Sequence, residues 1–327
     1  MNIMILSPGR RVDVVQYFKE AFHKEDAKVF TLDMSPYSPA LYEGDESFVV
    51  KKDFDNLDKY IDDVIKICVE NDVKSIITLI DPELVLLAKN REKFLDNGIF
   101  PIVSDYNEIM FTFDKYKFAK ELEGKVSVIP TYNGFDEIIK ALEEKKIEFP
   151  IFAKIKDGSG SVGIGKVPNI DELLAYKDKQ NYIFQPYLKE KEYGVDVYFD
   201  MLDGNIKSLF IKEKLNMRAG ETDKSISLYR DDIVNEVLKL NELNFRGPVD
   251  VDVFEDSKGK LYINEINPRF GGGYPHAYNC GVNFIENIIL NLKGKKIDKR
   301  LDNYKKGLIM LKYNGTKFID KEELKSI

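Results

Sequence analysis

The chain has 327 residues, 43% hydrophobic and 12% aromatic, enough to build two or three packed units around buried cores. Its charges are mixed and sum to −7, which excludes an overall basic footprint for nucleic acid, and two cysteines with two histidines are too few for a disulfide framework or a zinc site. No apolar run approaches a membrane span and Met1–Leu6 is too short for a secretion signal, so the expected location is cytoplasmic.

Residues 2–6 read as a buried strand, after which Val12, Val15, Phe18 and Phe22 repeat at helical spacing. A strand at 28–32, a helix with Leu57, Tyr60, Ile61, Val64, Ile65 and Cys68 on one stripe, a strand at 75–79 and a helix over 82–95 continue the alternation. That pattern predicts a doubly wound parallel sheet, of α/β class, with ligands beyond the carboxyl ends of the strands. Ser7, Gly9, Arg10 and Arg11 occupy one such end, and Asp81 with Glu83 another. The first turn lacks the G-x-G-x-x-G of a dinucleotide fold. Two arginines at a helix start oppose the helix dipole unless an anion is present. Arg10 or Arg11 is therefore a candidate for a substrate carboxylate or phosphate, the alternative being a contact with a neighbouring domain or subunit.

From about Ser104 the pattern changes. Asp114 is placed to cap a short amphipathic helix that begins at Lys115, and a helix over about 135–145 leads to the strand 149–155. Lys154 lies in that strand among apolar neighbours, and a buried ammonium needs an anion, for which phosphate would serve. Directly after it, Asp157-Gly158-Ser159-Gly160-Ser161-Val162-Gly163 offers backbone amides and hydroxyls to phosphates, or else is a plain hairpin tip. A strand Tyr182–Gln185 runs into Pro186-Tyr187-Leu188, which suits a connector. Glu192, Gly194, Asp196 and Tyr198 share one face of the next strand. Lys212–Thr222 is then a dense polar stretch after the apolar strand 208–211, a solvated charged loop being the alternative to a functional segment.

Two further strands form a hairpin about Asp256–Gly259. In the first, Val249, Val251 and Val253 take one face and Asp250 and Asp252 the other. In the second, strict alternation puts Leu261, Ile263, Glu265 and Asn267 on one face and Tyr262, Asn264 and Ile266 on the other. Asp252, Glu265 and Asn267 are thus hard oxygen donors able to meet across the ladder, with Arg269 just beyond, an arrangement suited to a divalent cation on a polyphosphate. Phe270 and three glycines follow. A helix over 282–292 and a strand at 308–311 close the chain.

Asp252, Glu265, Asn267 and Arg269, with Lys154, the glycine-rich hairpin and the other parts in this order over residues 115–273, resemble the ATP-grasp superfamily, most closely the carbamoyl-phosphate-synthase-like carboxylate–amine ligases. Ser-Pro-Gly-Arg-Arg-Val and Asp81-Pro82-Glu83-Leu84 also resemble the N-terminal domain of that branch. The resemblance implies an α+β fold with a pre-ATP-grasp domain over 1–104, a lid subdomain with its flap over 105–185 and a C-terminal subdomain with the metal site over 186–327. It implies ATP and Mg2+ or Mn2+ as cofactors, with Lys115, Lys154, Ser159, Gly160, Ser161 and Gly163 on phosphates, Gln185, Pro186 and Tyr187 on adenine, and Glu192 on ribose. Asp252, Glu265 and Asn267 would hold metal, and Arg218 and Arg269 would face the transferring phosphoryl group. Arg10, Asp81, Gly273 and His276 are candidates on the acceptor side, His276 having a purely structural alternative. Where relatives often carry glutamine, this chain has Asp252, leaving the number of metal ions open.

The implied reaction is phosphorylation of a carboxylate to an acyl phosphate and its capture by an amine, with ADP and phosphate released. The expected partners are small-molecule carboxylates and amines, with no nucleic acid or membrane and possible homodimerisation. Alternatives are a sugar-acid or cell-wall-precursor ligase, or a non-catalytic nucleotide-binding subunit.

Overall fold

The structure is a computed structural model and describes residues 1–157, 163–188 and 191–325. Its first sheet is parallel, built from β1 (Asn2–Leu6), β2 (Val29–Asp33), β3 (Glu46–Val49), β4 (Val73–Thr78) and β5 (Phe100–Pro101) in the order β3-β2-β1-β4-β5. The central strands are buried on both faces because α1 (Val12–His23) covers one side and α2 (Leu57–Glu70) the other, as their continuous apolar runs require. Beyond β4 come α3 (Asp81–Lys89) and α4 (Arg91–Asp96), two helices where one is expected over 82–95, because Asn90 at the junction leaves the helical region with ψ 17°. β3 is not apparent in the sequence pattern.

After α5 (Tyr106–Phe113), α6 (Lys115–Leu122) starts where Asp114 accepts from the backbone amides of Tyr116 and Lys117. A small antiparallel sheet follows: β6 (Tyr132–Asn133), β7 (Ile151–Ile155), β8 (Gly165–Val167) and β9 (Tyr182–Pro186), ordered β6-β9-β7-β8. Its core is shared with α7 (Gly134–Glu143) and α8 (Ile170–Leu174).

The third sheet is antiparallel: β10 (Lys191–Phe199), β11 (Ile206–Arg218), β12 (Glu221–Leu228), β13 (Gly247–Glu255), β14 (Leu261–Asn267) and β15 (Ile309–Leu311), ordered β14-β13-β10-β11-β12-β15. One face is dry, with Val249, Val251, Val253 and Ile263 packed against α9 (Asp231–Leu238). The first sheet docks beside it through α1, which packs on α10 (Tyr274–Asn279) and α11 (Phe284–Leu292). Phe18 meets Phe270 edge-on with ring centres 5.7 Å apart, and Tyr17 stacks on Tyr278 at 3.7 Å. This docking brings the start of α1 beside residues 269–273.

Two predicted features are corrected here. Residues 212–218 are strand: β11 runs to Arg218 and turns sharply at Ala219 and Gly220, both at positive φ, into β12. The strict alternation expected along β14 also breaks. Asp252 pairs with Glu265 but Val253 pairs with Ile263, so Asn264 is an extra residue in the ladder. Leu261, Ile263 and Ile266 consequently face the core, while Asn264, Glu265 and Asn267 face a cleft.

Candidate active site

The cleft lies between the small sheet, the wet face of the six-stranded sheet and the ends of β4 and α1, and holds about 1000 Å³. Its floor follows from register. Asn267 lies opposite Asp250 and Glu265 opposite Asp252, while Asp252 faces Gly194, and Glu192 faces Phe254, on the neighbouring strand. Four carboxylates, those of Glu192, Asp250, Asp252 and Glu265, therefore line one wall. Such a cluster must be neutralised.

Lys214 does part of this, donating to Asp252 Oδ1 at 2.6 Å and Glu192 Oε1 at 2.7 Å. Burial opposes its charge, but the two carboxylates prevail and hold the ammonium above its usual pKa. Burial, against the pull of Lys214, pushes Asp252 up to about 7, with Asp250, Glu192 and Glu265 adding to the rise. Deeper still, Lys212 donates to Asp196 at 2.5 Å, and burial pushes that acid up to about 6. Both lysines cross β10 at Gly194, where a Cβ would sit 2.9 Å from Lys212 Cε and 3.3 Å from Lys214 Cε. Neither was singled out in the sequence. Their signal was the i, i+2 spacing continuing an apolar strand, opposite a strand glycine.

From the small sheet, Lys154 reaches across the cleft and donates to Asn264 Oδ1 at 3.1 Å. Burial lowers its pKa to about 8, Glu265 raising it and Lys115 lowering it further. Glu265 itself has no hydrogen bond or ion pair among the described residues. Lys115, Gln185, Pro186, Tyr187 and Glu192 also line the cleft, with Phe152, Ile155, Ile164 and Phe254 as apolar wall. Gln185 donates to Thr131 at 2.9 Å, which anchors the connector. An apolar slot next to cations and hard oxygen donors suits a purine nucleotide polyphosphate.

At the other end, Arg269 is gripped by Asp81, Nε to Oδ1 at 2.7 Å and Nη2 to Oδ2 at 3.1 Å. Although burial disfavours the cation, Asp81 and Asp250 hold Arg269 above its usual value. Asp81 lines the cleft as the partner that orients an arginine. The glycines that follow pack against charged side chains. A Cβ on Gly271 would lie 2.5 Å from Asp250 Cγ, one on Gly272 2.8 Å from Glu221 Cδ, and one on Gly273 2.5 Å from Lys212 Cε.

Several expected residues lie elsewhere. Arg218 is exposed and donates to Asn314 at 3.3 Å, because bulges between Lys214 and Met217 shift the face of β11 and put Met217 in the cleft instead. Arg10 is exposed, whereas Arg11 enters the cleft, its Nη1 donating to Phe270 O at 2.6 Å. Gly273 is spent on Lys212 and does not line the cleft. His276 is buried between Ser225 Oγ and Leu308 O, at 2.8 and 3.0 Å, and desolvation lowers its pKa to about 4, so its setting is structural. Gly163 packs on Ile155, where an added Cβ would overlap, and does not line the cleft. Ser159, Gly160 and Ser161 lie outside the described residues.

The acids fit a divalent metal. Among the described residues no three histidine, cysteine or acidic side chains form a cage. Magnesium, however, commonly takes one or two carboxylates completed by phosphate oxygens. Glu265, Asp252 and the amide of Asn267 are such a partial set.

A mostly parallel domain, a small antiparallel lid and a six-stranded floor with a lysine-and-carboxylate cleft between them define a nucleotide-binding fold of the ATP-grasp class. Residues 112–273 match the family model described as ATP-grasp domain, and residues 3–102 match PylC-like, N-terminal domain. The chain therefore carries an ATP-grasp domain preceded by a PylC-like N-terminal domain. It is 26% identical over 285 residues to the carbamoyl phosphate synthase large chain of Clostridium beijerinckii, covering 78% of this chain and 26% of that protein. It is 25% identical over 203 residues to the N5-carboxyaminoimidazole ribonucleotide synthase of Staphylococcus epidermidis, covering 58% and 53%. The chain thus spans about a quarter and a half of the length of these relatives. Its fold is that of the N5-carboxyaminoimidazole synthetase of Staphylococcus aureus (TM-score 0.73, 21% identity, 91% of this chain and 78% of that one). It is also that of the biotin carboxylase domain of the Hydrogenobacter thermophilus 2-oxoglutarate carboxylase (TM-score 0.75, 14% identity, 94% and 73%).

Proposed function

We propose that the protein is an ATP-dependent ligase that phosphorylates a carboxylate to an acyl phosphate and couples it to an amine, releasing ADP and phosphate. The observation that carries this reading is the approach of Lys154, from the small sheet, to Asn264 and the Asp252–Glu265 pair on the floor. Phosphoryl transfer needs positioning and charge neutralisation more than a protein nucleophile, and that is what the lining offers. The apolar slot at 185–188 takes the adenine and Glu192 the ribose. Lys115 and Lys154 hold the phosphates, and Lys154 stays cationic at neutral pH. Arg269, its orientation set by Asp81, meets the charge that develops on the transferring group. Glu265, Asp252 and Asn267 would hold magnesium, which when bound neutralises phosphate charge as a Lewis acid. We assign the three units to 1–104, 105–185 and 186–327.

The relatives are named for carbamoyl phosphate, carboxyaminoimidazole and, in Streptococcus pneumoniae, D-alanine–D-alanine ligation, and a structural neighbour was crystallised as a dimer with MgADP and bicarbonate. The test is ADP release in a coupled assay against a panel of carboxylates, bicarbonate included, and amines. Turnover requiring both partners, and reduced ~100-fold or more in Glu265→Gln, is the expected result, since metal-ion stabilisation is worth several kcal/mol. Unchanged turnover in E265Q would refute the site. Tight ATP binding without turnover over the whole panel would favour a nucleotide-binding subunit.

A further inference from the structure

The end of the cleft away from the adenine slot contains a charge arrangement that the phosphoryl chemistry leaves unused. Glu221 begins β12 and its carboxylate lies between two cations from opposite ends of the chain: Arg11 Nη2 at 3.5 Å and Lys312 Nζ at 3.4 Å. Both contacts are long for charge-assisted bonds, which close to about 2.7–2.9 Å. The neighbouring Arg269–Asp81 pair is closed in that sense, at 2.7 and 3.1 Å. Glu221 therefore occupies a place between two cations without claiming it, and its side chain remains 43% exposed. It lies over Gly272, whose missing side chain is what leaves room for the carboxylate.

Two cations thus share the one Glu221 carboxylate. Arg10 adds to the field on Glu221, and nearby Lys224 is already paired with Asp223 at 2.8 Å. Arg11, set beside Arg269, is disfavoured as a cation by burial and by that second arginine, and although Glu221, Asp250 and Asp81 all favour its charge, its pKa stays below the usual value. Lys312 arrives on the segment after β15. Its backbone amide donates to Asp223 O at 3.0 Å, and further along Lys317 pairs with Glu43 of the first domain at 2.8 Å. That segment lies beyond both matched family models, which end at residues 102 and 273.

We propose that Glu221 stands in for an anionic group of the second substrate, a carboxylate or phosphate that binds between Arg11 and Lys312 and displaces the Glu221 side chain. This rests on the ligase reading for the adjoining nucleotide site and adds the chemical class of the acceptor: an amine that carries a negative group at the end remote from the reaction. It also makes Lys312, outside the matched ATP-grasp core, a residue that sets specificity.

The test uses the full chain loaded with magnesium and a non-hydrolysable ATP analogue, so that the nucleotide phosphate site is filled. Inorganic phosphate and malonate are then titrated separately by calorimetry or by protein NMR, and the two arms distinguish phosphate from carboxylate. The expected result is saturable millimolar binding of at least one anion, weakened tenfold or more in Lys312→Met and tightened several-fold in Glu221→Gln, which keeps the shape and removes the competing charge. The sign in E221Q is decisive. Weaker anion binding there would mean that Glu221 recruits a cation, and would overturn the proposal, as would the absence of saturable binding in both proteins. Failure of the nucleotide analogue to bind would count against the ligase reading alone, because the anion titrations can be repeated on the free protein.

Discussion

Replacing Lys214 by methionine is the sharpest probe of how the carboxylate wall is held together. The substitution keeps the apolar stem and removes the ammonium that joins Asp252 at 2.6 Å and Glu192 at 2.7 Å. Lys214 is 5% exposed and Asp252 15%, so truncation strands a buried carboxylate, a change that costs about 3–5 kcal/mol. The more exposed Glu192 adds at most about 1 kcal/mol. At about 2–4 °C per kcal/mol for a protein of this size, the midpoint of thermal unfolding should fall by roughly 10 °C. With no tryptophan in the chain, far-UV circular dichroism is the convenient assay. Magnesium supplies the second half of the experiment. A divalent cation held by Asp252, Glu265 and Asn267 restores positive charge beside the stranded carboxylate, so a concentration ten times its dissociation constant should return about 1.4 kcal/mol. The wild-type protein, in which Lys214 already counters the Asp252 charge, should respond less. A K214M midpoint within 2 °C of wild type (about 1 kcal/mol or less), or an equal magnesium shift in both proteins, would refute the reasoning.

Lys154, lowered by burial to a pKa of about 8, is cationic below that pH and loses its charge above it. Affinity for a non-hydrolysable ATP analogue should therefore drop about tenfold or more as pH rises through 8 to 9.5, a charged hydrogen bond being worth about 1.5–3 kcal/mol, while Lys154→Arg should flatten the profile. His276 has the opposite dependence: its folded pKa of about 4 lies below the unfolded value near 6.5, so the unfolded state binds the proton first. Stability should fall as pH drops from 6.5 towards 4, by up to about 3 kcal/mol, and urea unfolding of His276→Gln should lack that component. Gly273→Ala should cost about 1–3 kcal/mol, because its methyl would meet Lys212, which the buried Asp196 holds in place. A Gly273→Ala protein as stable as wild type would show that Lys212 can move.

Much of the site could be read locally. Val249, Val251 and Val253 alternate with Asp250 and Asp252 in the chain as they do in the sheet, and Asp114 announces the start of α6 by caps that involve only its near neighbours. Lys154 stood out because a lysine inside Phe149–Ile155 has no local reason to be there. Arg218 was taken from the family resemblance, and a shared motif does not announce the register shifts between Lys214 and Met217 that turn this side chain out of the cleft. Lys212 and Lys214 were hidden in a polar stretch whose acids come from β10 and β13.

What the amino-acid order determined by itself was the succession of strands, helices and charged motifs, since propensity, capping and alternation act over a few residues. Which member of each neighbouring pair reaches the cleft was decided only in three dimensions. An extra residue in β14 turns Glu265 away from the core, the bulges in β11 exchange Arg218 for Met217, and the packing of α1 on α10 and α11 selects Arg11 over Arg10. In each case the physical cause is the burial of apolar side chains on the far side of the element. That burial sets the rotation of the backbone, and the polar face follows it.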